Sequence, residues 1–441
     1  MTEPEINIGI LASKEIRFDL YGEFNSNFGT DKCSGNYKAV LEEGKIAVYK
    51  DDKKAGKSDE IIFTPNDIDI ESFVLYDVVI GKNFHWQKKE RQRFRGTLRL
   101  FIEDGNITAV NIIPLEEYLA SVIASEMNAN SSPELLKAHA VISRSWILSQ
   151  LEKKKETTKH VNELISDDEI IRWYDSTNHQ NYDFCSDDHC QRYQGITRII
   201  NENVYNAVEN TRGIVLTYED KVCDTRYSKC CGGITESYEN VWEPIRVRYL
   251  VSITDYKFEI DGIEYDLTKE KNAEKWINIS PHAFCNTADA KILQQVLNDY
   301  DRQTEFFRWK VEYSQDELSS IIKEKSGIDF GHIIDLEPVK RGYSGRIIKL
   351  KIRGAKKTLT VGKELEIRRW LSPTHLYSSA FTVLKEEIKD NIPAKFILKG
   401  AGWGHGVGLC QIGAAAMSNI GYLFDEILSH YFKGAKIKKI Y

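Results

Sequence analysis

The stretch Pro114-Leu-Glu-Glu-Tyr-Leu-Ala-Ser-Val-Ile-Ala-Ser-Glu126-Met-Asn-Ala-Asn-Ser-Ser-Pro-Glu-Leu-Leu-Lys137-Ala-His-Ala-Val-Ile-Ser-Arg144-Ser-Trp146 decides how the chain is read. It reads as two short helices joined by a polar turn. Pro114 suits a first helical position, where its missing N–H costs nothing. Leu115, Leu119, Val122 and Ile123 recur at helical spacing and mark an apolar face. Glu126 continues that face. Partial burial there would disfavour the charged form and raise its pKa, as a general acid near neutral pH requires. In the turn, Ser131 or Ser132 can cap the second helix, Pro133 opens it, and Ser131 with Glu134 matches the capping box. Lys137 and Arg144 are seven apart and share a face with Ala140 and Val141. Two readings stay open for them: a snorkelling, solvated pair, or two cations holding an anionic or oxygen-rich ligand beside Glu126.

Outward from this pair the pattern turns to strands. Residues 5–25 alternate through Ile6, Ile8, Ile10 and then Ile16, Phe18, Leu20, and residues 45–115 continue in short strand-like runs with Gly and Asp turns. Residues 152–170 are a charged insertion expected to form an exposed excursion, and residues 205–255 return to strands. Residues 256–308 are mixed and charged. From Trp309 a strand, a helix around Asp316-Glu-Leu and further strands follow. The expected class is α+β with a β majority: β-rich lobes around a small helical catalytic segment, with a cleft between lobes. The expected divisions are residues 1–112, 113–255 and 256–441.

Composition narrows the function. The chain has 441 residues, 29% of them charged, and a formal net charge of −6, so no polybasic character argues for nucleic acid or anionic lipid. It has no run of 18 apolar residues that would span a membrane. The start, Met-Thr-Glu-Pro-Glu-Ile, lacks the basic-then-apolar pattern of a signal peptide. Eight cysteines in a chain this long are not a disulfide scaffold.

Two further clusters carry chemistry. In Asp175-Ser-Thr-Asn-His179-Gln-Asn-Tyr-Asp-Phe-Cys185-Ser-Asp-Asp-His189-Cys190-Gln-Arg-Tyr193, His179, Cys185, His189 and Cys190 match the ligand set of a tetrahedral zinc site, and soft donors suit zinc better than calcium or magnesium. The adjacent His189 and Cys190 need a loop. The same residues could be a disulfide or free thiols with surface histidines. The second cluster is Gly402-Trp-Gly-His405-Gly-Val-Gly-Leu-Cys-Gln411-Ile-Gly413, whose glycines let the backbone bend sharply and approach a ligand. The small-residue helix after it could aim free N–H groups at ligand oxygens. A dinucleotide loop is disfavoured because Asp425 and Glu426 do not end a strand, and a Walker loop because no Gly-Lys-Ser/Thr follows. The alternative is a tight strand-to-helix turn that needs glycine for its backbone alone.

The opening stretch resembles the signature of the stage II sporulation protein D family (the SpoIID/LytB domain): an acidic first helix, Ser-Glu-Met, then Leu-Lys-Ala-x-Ala-Val ending in Arg. Tyr227-Ser-Lys-Cys-Cys-Gly-Gly-Ile-Thr-Glu-Ser and the glycine-rich closing motif resemble the same family, over residues 93–150, 172–196, 207–255 and 309–441. The family usually has Gln at the position of His139, and Thr-Tyr where this chain has Ser145-Trp146. The resemblance implies a peptidoglycan lytic transglycosylase with Glu126 as its catalytic acid, and Lys137, Arg144 and Tyr227 orienting sugar oxygens. It implies glycan contacts at Trp403, His405 and Gln411. It favours zinc, structural in role, over the disulfide at the His/Cys cluster. It also implies peptidoglycan glycan strands as partner, other cell-wall hydrolases as associates, and a cell-envelope location. The rivals are a non-catalytic glycan-binding protein that enhances an amidase, and a zinc peptidase or amidase. The last needs an open metal position, which four protein ligands would close.

Overall fold

The computed structural model describes residues 2–29, 32–81, 87–155, 162–174, 179–187, 189–257, 266–297 and 305–441. Strand, at 39%, outweighs helix, at 25%, so the α+β class with a β majority holds. The chain forms two compact units, one of Met1–Leu151, Ser176–Val215 and Lys439–Tyr441, the other of Glu152–Asp175 and Leu216–Lys438. The divisions read from the sequence, after residues 112 and 255, fall inside these units rather than between them.

The first unit is built on an 11-stranded sheet. Alternation explains its core: Ile6, Ile8 and Ile10 of the strand Glu5–Ser13 and Ile16, Phe18 and Leu20 of Glu15–Ser26 are buried, whereas Glu5 and Arg17 are exposed. The strand Asn106–Pro114 lies antiparallel between Glu5–Ser13 and Thr97–Glu103 and runs without a loop into helix α1 (Leu115–Glu126). Pro114 is therefore the cap, one position before the first helical residue. Every α1 residue except Glu117 is buried. A helix enclosed on all sides is apolar or small all round, which is why Ala120, Ser121, Ala124 and Ser125 fill the side opposite Leu119, Val122 and Ile123. Helix α2 (Pro133–Lys155) starts where Ser132 Oγ accepts from the Leu135 amide at 3.3 Å, while Ser131 turns back to the Asn128 carbonyl at 2.6 Å. The cap is thus Ser132, and Glu134 pairs with Lys137 at 2.8 Å. Helix α3 (Asn203–Asn210) packs on α1.

The second unit holds a five-stranded sheet ordered Glu163–Ile165, Glu169–Arg172, Thr358–Gly362, Ile347–Gly354, Ile333–Arg341. A three-stranded sheet is ordered Arg308–Ser314, Ile392–Ala401, Phe381–Lys389. The insertion expected to be an excursion supplies two strands instead: Glu169–Arg172 pairs in parallel with Thr358–Gly362 through Glu169 and Thr360. Its apolar Ile170 and Ile171 give it a side to bury; residues 156–161 lie outside the described residues. The stretch 256–308, part of it also outside them, contributes the helices α4 (Glu270–Asn278) and α5 (Ala290–Val296). Helix α6 (Gln315–Ser326) has a full capping box from Ser314 and Glu317 and ends at Gly327 with φ +73°. With α7 (Glu364–Trp370) it covers a core of Trp309, Leu318, Ile322, Leu350, Ile367 and Trp370. Helices α8 (Gln411–Asn419) and α9 (Phe424–Tyr431) follow the glycine-rich motif. Among the described residues, no helix is long and apolar enough to cross a membrane.

Candidate active site and metal centre

Glu126 ends α1 and is 8% exposed. Its Oε1 accepts the backbone amide of Arg192 at 3.0 Å. The segment carrying that amide is held along α1: Tyr118 OH donates to Gln191 Oε1 at 3.3 Å, Tyr118 stacks on Tyr193 with ring centres 5.0 Å apart, and the Gln194 amide donates to Ser125 Oγ at 3.2 Å. Ser121 Oγ donates to the Gly195 carbonyl at 2.8 Å. Gly195 must be glycine: φ is +64°, and a Cβ there would lie 2.1 Å from the Arg93 carbonyl oxygen. At the other end of α1, burial pushes the Glu117 carboxyl up, opposed by Arg95 at 3.2 Å.

Arg144 is not a ligand-holding cation beside Glu126. It is wholly buried, and its Nε and Nη2 clamp Glu116 at 2.9 and 2.6 Å, while Nη1 reaches the Ile214 carbonyl at 2.9 Å. Glu116 also accepts from Tyr441 OH at 2.5 Å. A guanidinium and carboxylate taken out of water demand such bidentate geometry, so this pair ties the start of α1 to α2. Lys137 stays partly exposed on its own helix, and the buried His139 meets Ser143 Oγ at 3.2 Å.

The four His/Cys donors come together. All four ligand atoms lie within 4.8 Å of one another, with Cys190 Sγ 3.5 Å from His179 Nε2 and 3.5 Å from His189 Nδ1. A tetrahedron with zinc–sulfur and zinc–nitrogen bonds of ordinary length has S···N edges of about 3.6 Å. The residues therefore fit zinc in both donor chemistry and spacing. Cys190, then the two imidazoles, hold the Cys185 thiol far below its usual range against the effect of burial. The loop is anchored on the first strand of the chain: Asn7 donates from its backbone and its side chain to Asp183, both at 2.9 Å, and Phe184–Cys185 pairs in parallel with Ile8 and Gly9. Nothing in the spacing of histidines and cysteines pointed to Asn7.

In the second unit the glycine-rich motif is bound mainly by its own backbone. Trp403 and Cys230 exchange N–H···O bonds at 2.8 and 3.1 Å, and the Gly404 amide donates to the Tyr377 carbonyl at 2.8 Å. The Arg346 side chain donates to the Gly404 and Cys231 carbonyls. Gly406 has φ +76°, and a Cβ there would lie 2.5 Å from that guanidinium. The amide of Ile412, early in α8, is taken by the Lys229 carbonyl at 3.1 Å, so it is not available to a ligand as the sequence suggested. Gln411 is 2% exposed. Trp403 is partly exposed and stacks on Phe306 at 4.5 Å, which covers one ring face. His405 accepts the Val407 amide at Nδ1, 3.0 Å away, and burial, with Arg226, Arg346 and Arg368 nearby, pushes its pKa well below the usual range. Tyr227 lies in the short strand Tyr227–Ser228, paired in parallel with Leu409–Cys410. Sequence reasoning missed Glu236, fully buried in the Thr-Glu-Ser run. Its carboxylate accepts from Asn240, Tyr343 and Ser344, and its amide donates to the Gly406 carbonyl at 2.8 Å. A carboxylate in a run otherwise committed to strand was the available signal.

Fold and site thus define a β-rich α+β protein whose buried helix pair carries a carboxylate beside a His2Cys2 donor loop. Residues 103–218, which include that helix pair and loop, match the family model described as Stage II sporulation protein, and residues 236–408 match Domain of unknown function (DUF8618). Over about three quarters of its length the chain is similar to proteins named stage II sporulation protein D. It is 24% identical to stage II sporulation protein D of Bacillus amyloliquefaciens over 75% of this chain and 76% of that protein. It is 25% identical to the Bacillus subtilis protein of the same name over 75% of this chain and 76% of that one. An amidase enhancer of Bacillus subtilis is 26% identical over 72% of this chain and 40% of its own length.

Proposed function

We propose that the chain acts on the bacterial cell wall, as a peptidoglycan lytic transglycosylase with Glu126 as its single acid and base. The observation that carries this reading is the placement of Glu126: a carboxylate nearly withdrawn from water, at a helix end, held by a backbone amide next to a closed donor loop. Of the other carboxylates of the helix pair, Glu116 is committed to Arg144, Glu117 to Arg95 and Glu134 to Lys137, and Glu152 stands in the last turn of α2, far along the chain from Glu126. One acid suffices if the nucleophile belongs to the substrate, whereas ordinary glycoside hydrolases use two carboxyls. Protonated Glu126 gives its proton to the glycosidic oxygen between N-acetylmuramic acid and N-acetylglucosamine, and the C1–O bond breaks. The carboxylate then takes the proton of the muramoyl C6 hydroxyl as O6 closes on C1, leaving a 1,6-anhydro end and a restored acid. Lys137 is a proposed glycan contact of the Glu126 site, and Tyr227 and Trp403 are proposed glycan contacts of the second unit taken by itself. Arg144 is a positioning residue.

Zinc is proposed at His179, Cys185, His189 and Cys190. Four protein ligands leave no open position, so its part is structural: it fixes the loop that brings the Arg192 amide to Glu126. The substrate implies a cell-envelope location and partnership with other wall hydrolases.

The relationship to an amidase enhancer supports a second reading, a glycan-holding protein that stimulates an amidase without cutting glycan itself. Both are tested by incubating the protein with purified glycan strands, peptide-free and peptide-bearing, and weighing the products. Anhydro ends, one water lighter than reducing ends, support the transglycosylase. Uncut strands with a stimulated amidase support the second reading, and reducing ends mean a hydrolase.

A further inference from the structure

A second donor cluster lies in the other unit, made of residues that the proposed function does not use. Cys231, Asp255, Cys285 and Cys410 offer three sulfurs and one carboxylate oxygen, all within 4.8 Å of one another, from four segments far apart in the sequence. All four residues are buried, Asp255 and Cys410 completely. Cys231 follows the backbone exchange between Cys230 and Trp403, Asp255 donates its amide to the Gly233 carbonyl, and Cys410 caps α8.

The spacing is that of a metal polyhedron. Cys231 Sγ and Cys285 Sγ are 3.6 Å apart. The S···S edge of a tetrahedron with ordinary zinc–sulfur bonds is about 3.8 Å, and a disulfide would require about 2.05 Å. The surroundings orient the donors as metal ligands are usually oriented from outside. The Cys231 amide donates to Cys410 Sγ at 3.2 Å, the Cys285 amide to Asp255 Oδ2 at 2.9 Å, and Tyr431 OH to Asp255 Oδ1 at 2.6 Å. Room for that carboxylate is kept by Gly413, where a Cβ would lie 2.6 Å from Asp255 Oδ1 and 2.3 Å from Tyr431 Oη. Arg308 donates to the carbonyl of Gly232, next to Cys231, and so puts a cation beside a cluster whose ligands are anionic once metallated.

A dry core gains nothing from three thiols and a carboxylate that aliphatic side chains would not supply better. A soft divalent cation gives the set a reason to converge. Thiolate-rich, tetrahedral and closed, such a site suits zinc before any harder ion. We propose that Cys231, Asp255, Cys285 and Cys410 bind a structural zinc ion that joins the Cys-Cys-Gly-Gly block, the Asp255 and Cys285 segments and the start of α8. Cys230 lies outside the four-donor set although its thiol meets those of Cys285 and Cys410, so Cys230→Ser tests which of the two neighbouring thiols is the ligand.

The test is zinc analysis of the full chain purified under reducing conditions. The unchanged chain and Cys230→Ser should each carry about two ions, Cys190→Ser about one, and the Cys190→Ser/Cys285→Ser double variant none. An unchanged chain with about one ion that persists in Cys190→Ser supports this site and removes zinc from the His179 cluster. Because the double variant can fail to fold, X-ray absorption at the zinc edge is measured on Cys190→Ser, in which the second site is intact. The expected shell is three sulfurs at about 2.3 Å and one oxygen, without imidazole. A zinc-free Cys190→Ser protein, an imidazole in that shell, or a Cys231–Cys285 disulfide in a non-reducing peptide map would overturn the proposal.

Discussion

The backbone amide of Arg192 donates to Glu126 Oε1 at 3.0 Å, two residues after Cys190 in the chain. The carboxylate and the donor loop are therefore joined by a single short run of backbone. Whatever fixes Cys190 also fixes the group that orients Glu126.

Glu126→Gln keeps the shape and a group able to accept the Arg192 amide, but it cannot give or take a proton. Glycan cleavage should fall by at least about 10²–10⁴-fold, while thermal stability and strand binding stay near those of the unchanged chain. Turnover at the original rate would remove Glu126 from the mechanism.

Cys190→Ser should lose the zinc proposed at the His179 cluster and release the 189–195 segment. A shift of about 1 Å in a positioning group can lower rate about 10²-fold, and cleavage should drop on that scale in a chain that still folds. Chelation of the unchanged protein should reproduce the loss, and zinc should restore it. Full activity in a metal-free protein would separate loop and acid.

The convergence of the loop's donors was legible in the sequence, because two histidines and two cysteines within twelve residues are close enough in the chain to meet. The loop's anchor was not. Asn7 reaches Asp183 through 176 residues of separation, and no periodicity carries such a contact. Helix α1 shows the same limit. Its apolar spacing gave the helix and the position of Glu126, but suggested one buried face, because the alanines and serines opposite look solvent-tolerant until α3 and the 191–195 segment close over them. For Arg144 the cation was visible and its partner was not, since Glu116 and Glu117 are neighbours and only the fold decides between them. The positive φ angles of the glycine motif could be anticipated from glycine density. That Arg346 and Cys230 satisfy its backbone could not.

Arg144→Met leaves the Glu116 carboxylate buried beside an apolar group. Removing one partner of a buried pair costs about 3–5 kcal/mol, and the loss should show as a lower urea midpoint for the first unit. Replacing both partners, as in Glu116→Gln/Arg144→Met, should recover part of it, because no charge is then left unpaired. A double variant weaker than the sum of the two single ones would argue against the ion pair as the origin of the effect.

His405 predicts an acid-sensitive second unit. Its imidazole accepts the Val407 amide and is held neutral by burial and by Arg226, Arg346 and Arg368, so its folded pKa is below the unfolded value. As pH falls through about 6.5, the usual histidine value, the unfolded chain takes up a proton that the folded chain refuses. Stability present above that pH is then lost with a slope of up to about 1.4 kcal/mol per pH unit. His405→Asn should flatten this dependence between neutral and mildly acid pH. An unchanged slope in the variant would assign the acid loss to other groups.

The glycine motif can be divided between folding and binding by two substitutions. Gly406→Ala puts a Cβ where φ is +76° and 2.5 Å from the Arg346 guanidinium, so Arg346 must leave the Gly404 and Cys231 carbonyls or the loop must move. Strain at such a position costs about 1–3 kcal/mol, and displaced hydrogen bonds add to it, so the second unit should melt earlier. Trp403→Ala removes a partly exposed ring stacked on Phe306 and tilted against Tyr377 at 4.9 Å. Each lost aromatic pair is worth about 0.5–1.5 kcal/mol, so this variant should be the milder of the two for stability. Binding of glycan strands, measured well below both melting temperatures, should weaken in Trp403→Ala and hold in Gly406→Ala. The reason is that only the first removes a surface on which a sugar ring can lie. Equal binding by both variants would leave the motif with a folding role alone, fixed by the same backbone bonds that join it to Cys230 and Glu236.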